Sequence, residues 1–256
     1  MEFENKVILI TGASSGIGKE LVTQLSKRKV KLAIISRREN LLAKLVNSLD
    51  DDVDVLPIKC DVSKKEEIHL AYKKIIERFG RIDIAILNAG FSERMSIKNY
   101  DSKIAEITFG ANFFGIVYWV EQLLTEFTER KSGIIVGVSS LADNKGYAKS
   151  GFYSASKAAA TIYLEGLSSE LRKYNIKVIT VRPGFVRTPM TDKNEFKMPL
   201  IMEPNKAAKI IIKGIEKEKR MIQFPWQLVF ATRIIPFLPN RIFEILEKIS
   251  FKKHNK

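Results

Sequence analysis

Six short apolar runs, regularly spaced, do most to limit what this chain can become. They are KVILIT (6–11), KLAIIS (31–36), VDVLPI (53–58), IDIAIL (82–87), GIIVGV (133–138) and KVITVR (177–182). Each is rich in β-branched residues and apolar nearly throughout, which reads as a strand buried on both faces. Segments of helical period lie between them, near 16–28, 39–49, 64–79, 103–130 and 153–174. That alternation predicts an α/β fold, a doubly wound parallel sheet with helices on both faces. No repeat or linker interrupts residues 1–190, so the 256 residues read as one domain with its core in that stretch.

Beyond Pro183 the pattern changes. FVRTPMTDKNEFKMPLIMEPN reads as a loop with three prolines, followed by a helix near 204–217 and a short strand at 221–224. The last stretch, from Pro225, is apolar and aromatic with interspersed Arg and Lys. Arg233 and Arg241 break it well short of the roughly 20 apolar residues a spanning helix requires. We read 191–256 as a substrate loop and a C-terminal cover, either a lid over an apolar pocket or a shield for the sheet edge. A segment lying on a membrane surface is the second reading.

Charge enters here. Lys and Arg total 43 against 29 Asp and Glu, a formal net of +14. An anionic partner is one explanation; a lysine-coated soluble surface is the other, favoured because no long cationic block occurs. Nucleic acid is therefore not expected as a partner. One cysteine, Cys60, allows no internal disulfide and no zinc spacing, so no metal is expected and a reducing, cytoplasmic setting fits, with peripheral membrane contact as its variant. The N-terminus MEFENKVILI carries acidic residues where a secretion signal would be basic.

TGASSGIG (Thr11–Gly18) follows the first strand and opens a helix. Gly12, Gly16 and Gly18, with Ser14, Ser15 and Ile17 between them, supply a tight turn and bare backbone for a pyrophosphate at a helix N-terminus. The second strand ends in Ser36-Arg37-Arg38, where a carboxylate would select NAD. Two guanidiniums stand there instead, suited to a 2′-phosphate, so NADP(H) is expected over NAD(H). Asp61 and Val62 follow the third strand, at the adenine edge, and Asn88, Ala89 and Gly90 follow the fourth.

VSS (138–140) ends the fifth strand, at the carboxyl edge where ligands bind. Shortly afterwards comes YSASK, placing Tyr153 and Lys157 at i and i+4 on one helix face. An ammonium beside a phenol lowers the phenol pKa toward working pH and makes it a proton donor or acceptor. Taken alone, the pair reads first as an ordinary Tyr–Lys pair on a solvated helix face.

Together these motifs resemble the short-chain dehydrogenase/reductase family, in order, over about residues 5–190. The resemblance implies a Rossmann-like fold, a Ser140–Tyr153–Lys157–Asn112 catalytic tetrad, and RPGFVRTP (182–189) as a nicotinamide-side loop using Pro183, Gly184, Val186 and Thr188. It implies that Ser140 holds the substrate oxygen and Tyr153 moves the proton. Lys157 would lower the tyrosine pKa and bond the nicotinamide ribose, and Asn112 would support a water relay. Interconversion of a ketone or aldehyde with its alcohol follows, in a homodimer or homotetramer. The loop LADNKGYAKSGF departs from the family's usual residues, so the substrate is not inherited from relatives; apolar flanking segments point to a lipid-like one. A catalytically silent nucleotide-binding homologue is the competing class, and the complete tetrad speaks against it.

Overall fold

The computed structural model describes residues 1–194, 196–239 and 241–243; the end of the apolar C-terminal stretch, 244–256, lies outside the described residues. Seven parallel strands form one sheet in the order β3-β2-β1-β4-β5-β6-β7. They are β1 (Val7–Thr11), β2 (Lys31–Ser36), β3 (Asp54–Lys59), β4 (Ile84–Leu87), β5 (Gly133–Val138), β6 (Ile176–Pro183) and β7 (Met221–Phe224). The chain turns from one direction of growth to the other at the β1–β4 boundary, where an open α/β sheet leaves a crevice.

Because successive strand side chains point to opposite faces, one continuous apolar run feeds two cores. Ile8, Ile10, Ile34 and Ile86 pack with α1 (Gly16–Leu25), α2 (Glu39–Val46) and α7 (Pro204–Glu216). Leu9, Ile35 and Ala85 pack on the other side with α3 (Lys65–Phe79), α5 (Gly115–Arg130) and α6 (Gly151–Leu171). Trp119 and Phe127 of α5, fully buried, are the largest side chains there. Burying one such aliphatic chain is worth about 1.5–3 kcal/mol, so the alternation sets the fold far more firmly than helix propensity does.

Two elements differ from expectation. The helix expected over 103–130 is α4 (Lys103–Phe109), a π-helical turn Gly110–Phe114, and then α5. A π-turn inserts one residue into the helical ladder and re-aims its side chains, a device found at functional sites. Here it carries Asn112. The helix bearing Tyr153 starts two residues earlier than the motif, at Gly151. Behind β7 the chain forms α8 (Trp226–Ile234) and a short turn Ile235–Phe237. No helix among the described residues is long and apolar enough to cross a membrane.

Candidate active site

A single cleft at the carboxyl ends of the strands collects most of the residues singled out by motif. Gly12, Ser14, Ser15, Gly16 and Ile17 line one end; Ser140, Tyr153 and Lys157 line the other. Arg37, Arg38, Asp61, Val62, Asn88, Ala89, Gly90, Pro183, Gly184, Val186 and Thr188 complete its walls. Two expected residues do not line it. Gly18 is a buried joint: a Cβ there would lie 2.3 Å from the Gly12 carbonyl oxygen, so its role is to let α1 meet the turn. Asn112 is wholly buried beneath the cleft.

At the phosphate end, Gly12 has φ +66° and a Cβ would come within 2.8 Å of Ala89 Cα. Conformation and space both demand glycine. Ser15 heads α1 without capping it through its side chain, and no acidic residue occupies the first turn. The helix therefore presents an uncapped positive end to the cleft. Above it the Arg38 guanidinium donates to Ser14 Oγ (Nε 3.1 Å, Nη2 2.8 Å) and to Ser15 Oγ (2.7 Å). Arg38 rests on hydroxyls. Arg37, exposed as Arg38 is, stands instead 3.7 Å from the Asp61 carboxylate. The two arginines, equal in sequence, are unequal in the fold: Arg38 keeps its charge for the cleft, and Arg37 shares its own.

The two ends are tied through the strand-four motif. Asn88 Nδ2 donates to the Thr11 carbonyl (3.1 Å) and the Ala89 N–H to Thr11 Oγ1 (3.0 Å). At Gly90 a Cβ would sit 3.1 Å from Asn112 Oδ1 and 3.5 Å from Lys157 Nζ. The asparagine amide is committed in full to this frame. Its oxygen accepts from the Phe91 N–H (2.7 Å), and its nitrogen donates to the Phe91 carbonyl and to Ser156 Oγ, both 2.9 Å. Asn112 as seen here holds the backbone at Phe91 and leaves no free amide hydrogen for a relay.

At the chemistry end the adjacent serines divide. Ser139 turns inward, donating to the Lys157 carbonyl (2.9 Å), with Thr161 Oγ1 2.7 Å from its oxygen. Ser140 faces the cleft, heads the 3-10 turn Leu141–Asp143 by accepting from the Ala142 N–H (3.1 Å), and shares a hydrogen bond with the Tyr153 hydroxyl. Lys157 is buried and donates to the Val138 carbonyl at 2.8 Å. Its Nζ lies 5.9 Å from the Tyr153 ring centre.

Electrostatics here follow burial. Desolvation brings the Lys157 ammonium down to about 8, the Asp143 carboxylate opposing it. Burial likewise pushes the Tyr153 phenol above its ordinary value; the Ser140 hydrogen bond works against this and Asp143 adds to it. The expected lowering of the phenol pKa by its neighbouring ammonium does not appear in this state; burial sets the direction. Cys60 at the cleft floor is no nucleophile, since burial pushes its thiol up to about 12.

Sequence reasoning missed Asp143. Its side chain is only 1% exposed, pairs with Arg182 and accepts from Thr161 Oγ1 at 2.6 Å. The Asp143–Arg182–Thr161–Ser139 net underlies both serines, yet its members lie on three separate elements. No local spacing joins them; a carboxylate three residues past Ser140 was the one visible sign. Phe91 and Ala111 also line the cleft unforeseen, while Met190 and Lys193 come from the start of the stretch expected to form the substrate loop. None of the α8 residues lines the cleft, though Leu228 packs behind Gly184.

The comparisons agree with this geometry. Residues 6–198 match the short chain dehydrogenase family. An uncharacterized oxidoreductase of Myxococcus xanthus (strain DK1622) is 34% identical over 244 residues, 95% of this chain and 96% of that protein. Among solved structures, a short chain dehydrogenase/reductase from Burkholderia phymatum in complex with NAD superposes with a TM-score of 0.85. It is 22% identical and covers 91% of this chain and 94% of its own. A short-chain dehydrogenase from Sphingobium yanoikuyae in complex with NADPH gives 0.79 at 24% identity, over 89% and 93% of the two chains. The chain belongs to the short-chain dehydrogenase family and is an oxidoreductase of that family.

Proposed function

We propose that this protein is an NADPH-dependent carbonyl reductase acting on an apolar ketone or aldehyde through Ser140, Tyr153, Lys157 and Asn112. The observation that carries the reading is the pairing of ends in one cleft: Arg38 over an uncapped helix N-terminus, and Ser140 with Tyr153 facing the same space.

A dinucleotide suits the residues present. The bare backbone at Gly12 and Gly16 admits a pyrophosphate, and Arg38 with Ser14 and Ser15 offers donors for a 2′-phosphate. The Asp143–Arg182 pair lies at the other end and so does not compete for it. Val186 and Thr188 flank the nicotinamide side, with Pro183 and Gly184 shaping the turn. A nicotinamide cofactor, when bound, supplies the hydride.

The protein supplies the rest. The Ser140 hydroxyl donates to the substrate oxygen and fixes its place. Tyr153, hydrogen-bonded to Ser140, delivers its proton to that oxygen as negative charge develops there. Lys157, an ammonium below its pKa of about 8, stabilises the tyrosinate left behind. Asn112 positions Phe91 and, through it, the wall beside Lys157. Aliphatic and aromatic lining at Phe91 and Met190 favours a carbonyl carbon in an apolar setting.

Homo-oligomerisation is part of the reading, supported by Ile107, Phe114 and Ile162 standing 46, 42 and 70% exposed on α4–α6. A lone buried thiol suits a reducing compartment such as the cytoplasm. Following NADPH oxidation across a panel of ketones and aldehydes, short and polar to long-chain, tests the activity. Tyr153→Phe should lower kcat about a thousandfold while cofactor binding is retained. Full turnover by that variant would sink the assignment.

A further inference from the structure

Helix α8 turns its aromatic residues the wrong way for a lid. Trp226, Phe230, Ile234 and Phe237 are 74, 63, 45 and 86% exposed. Trp226, Phe230 and Ile234, at i, i+4 and i+8, fall along one stripe of α8, and Phe237 follows in the 3-10 turn beyond it. The opposite face is the anchored one. Leu228 packs close to Gly184, Thr232 is buried, and the Thr232 carbonyl accepts from the Asn144 side chain. A contiguous aromatic stripe left in water is rare on a soluble surface and marks a contact site.

Its border is cationic. A hollow beside β7 is lined by Lys213, Lys217 and Lys219 together with Met221, Trp226 and Val229. The three lysines and neighbouring Arg220 and Arg233 are exposed. The acidic residues nearby are compensated: Glu216 is paired with Arg28 at 2.5 Å, and Glu218 with Lys177. The local field is therefore positive, as is the chain at +14.

We propose that the α8 stripe and its lysine rim form a docking surface for an anionic lipid bilayer. Aromatic rings seat at the headgroup boundary while exposed cations attract anionic headgroups, the arrangement of interfacial helices. A second copy of this chain is the poorer occupant. A two-fold contact would set the same lysines against themselves. The surface also sits beside the substrate end of the cleft. Asn144 on α8's inner side follows directly on the Leu141–Asp143 turn, and Tyr147 meets Phe243 with ring centres 5.8 Å apart. Resting on the proposed reductase activity, the docking would let a membrane-dissolved carbonyl compound reach the cleft from the bilayer.

The test uses the full-length protein with vesicles of phosphatidylcholine alone or mixed with phosphatidylglycerol. Trp119 is buried and Trp226 exposed, so a blue shift of tryptophan emission reports burial of Trp226. Sedimentation with the anionic vesicles at low salt, a blue shift, and loss of both at high salt are expected. Trp226→Ser with Phe230→Ser should weaken vesicle binding about tenfold or more. Each of Lys213→Gln and Lys217→Gln should weaken it about fivefold. Turnover of a short soluble ketone should stay unchanged in all of these. Absence of binding to anionic vesicles at low salt would overturn the proposal, as would a blue shift that appears on raising protein concentration without vesicles. Because vesicle binding requires no catalysis, a chain that binds vesicles yet reduces no carbonyl would refute the reductase reading alone.

Discussion

The two ends of the cleft solve opposite electrostatic problems. At the phosphate end, charge stays near water: Arg37 is exposed, Arg38 lies on serine hydroxyls, and the α1 terminus is open. At the proton end, Lys157 and Asp143 are almost without solvent contact. Charge near water acts by position and is screened by salt, whereas the buried Lys157 acts through a pKa that desolvation has lowered. The first end should therefore respond to salt and steric change, and the second to pH.

The largest effect expected is steric and belongs to the phosphate end. Gly18→Ala would place a methyl 2.3 Å from the Gly12 carbonyl oxygen and 2.7 Å from Asn88 Nδ2, the first of which is backbone and cannot yield. A loss of about 3 kcal/mol in unfolding stability is expected, read by denaturant titration. Gly166→Ala is the control. It lies mid-helix in α6 with nothing within 4 Å of its Cβ, so a gain of about 0.5–1 kcal/mol is expected there. Equal responses of the two would mean the glycine turn is looser than its geometry.

Cofactor choice comes next and separates the arginines. Arg38→Asp should lower the NADPH-over-NADH ratio in kcat/KM by about 10- to 100-fold, the worth of charge-assisted hydrogen bonds to a phosphate. Arg37→Asp should do less, since the Asp61 carboxylate already answers that charge. The Arg38 effect should shrink at high salt. Unchanged preference in both variants would make the pair surface decoration.

This contrast also explains what was legible in the chain. The doubly wound sheet showed in the spacing of apolar runs, because strand burial is written locally in composition. That Gly12, Ser14, Ser15 and Gly16 gather in the cleft showed because a tight turn uses consecutive residues. Ser140 over Ser139 was reached through resemblance; in the fold both line the cleft, Ser140 bonded to Tyr153 and Ser139 to Lys157's carbonyl. The π-turn at Asn112, the inequality of Arg37 and Arg38, and the Asp143 net were not legible. The last two are made by residues from different elements meeting and the π-turn by a local shift of hydrogen bonding within one helical stretch; the sequence carries no period that announces either. The outward stripe of α8 was half legible: its apolar, aromatic composition was plain, its direction was not.

The smallest effect expected is the one that most sharpens the comparison. Because kcat/KM reports the free enzyme, carbonyl reduction should fall as pH rises through about 8, where Lys157 loses its proton. Asp143 raises the pKa of both Lys157 and Tyr153. Asp143→Asn should therefore move that fall to lower pH, by about half to one unit. A purely structural role for Asp143 would lower rates at every pH without moving the midpoint. Stability carries the matching sign. The folded pKa of Lys157 is depressed by burial, so its ammonium costs stability in full below about 8, and that cost fades as pH rises toward the unfolded value. Lys157→Met should accordingly stabilise the fold at pH 7, on the order of 1 kcal/mol, and progressively less above pH 8. Thermal unfolding of wild type and variant across that range measures the difference. A difference independent of pH would place Lys157 among the solvated charges of the phosphate end.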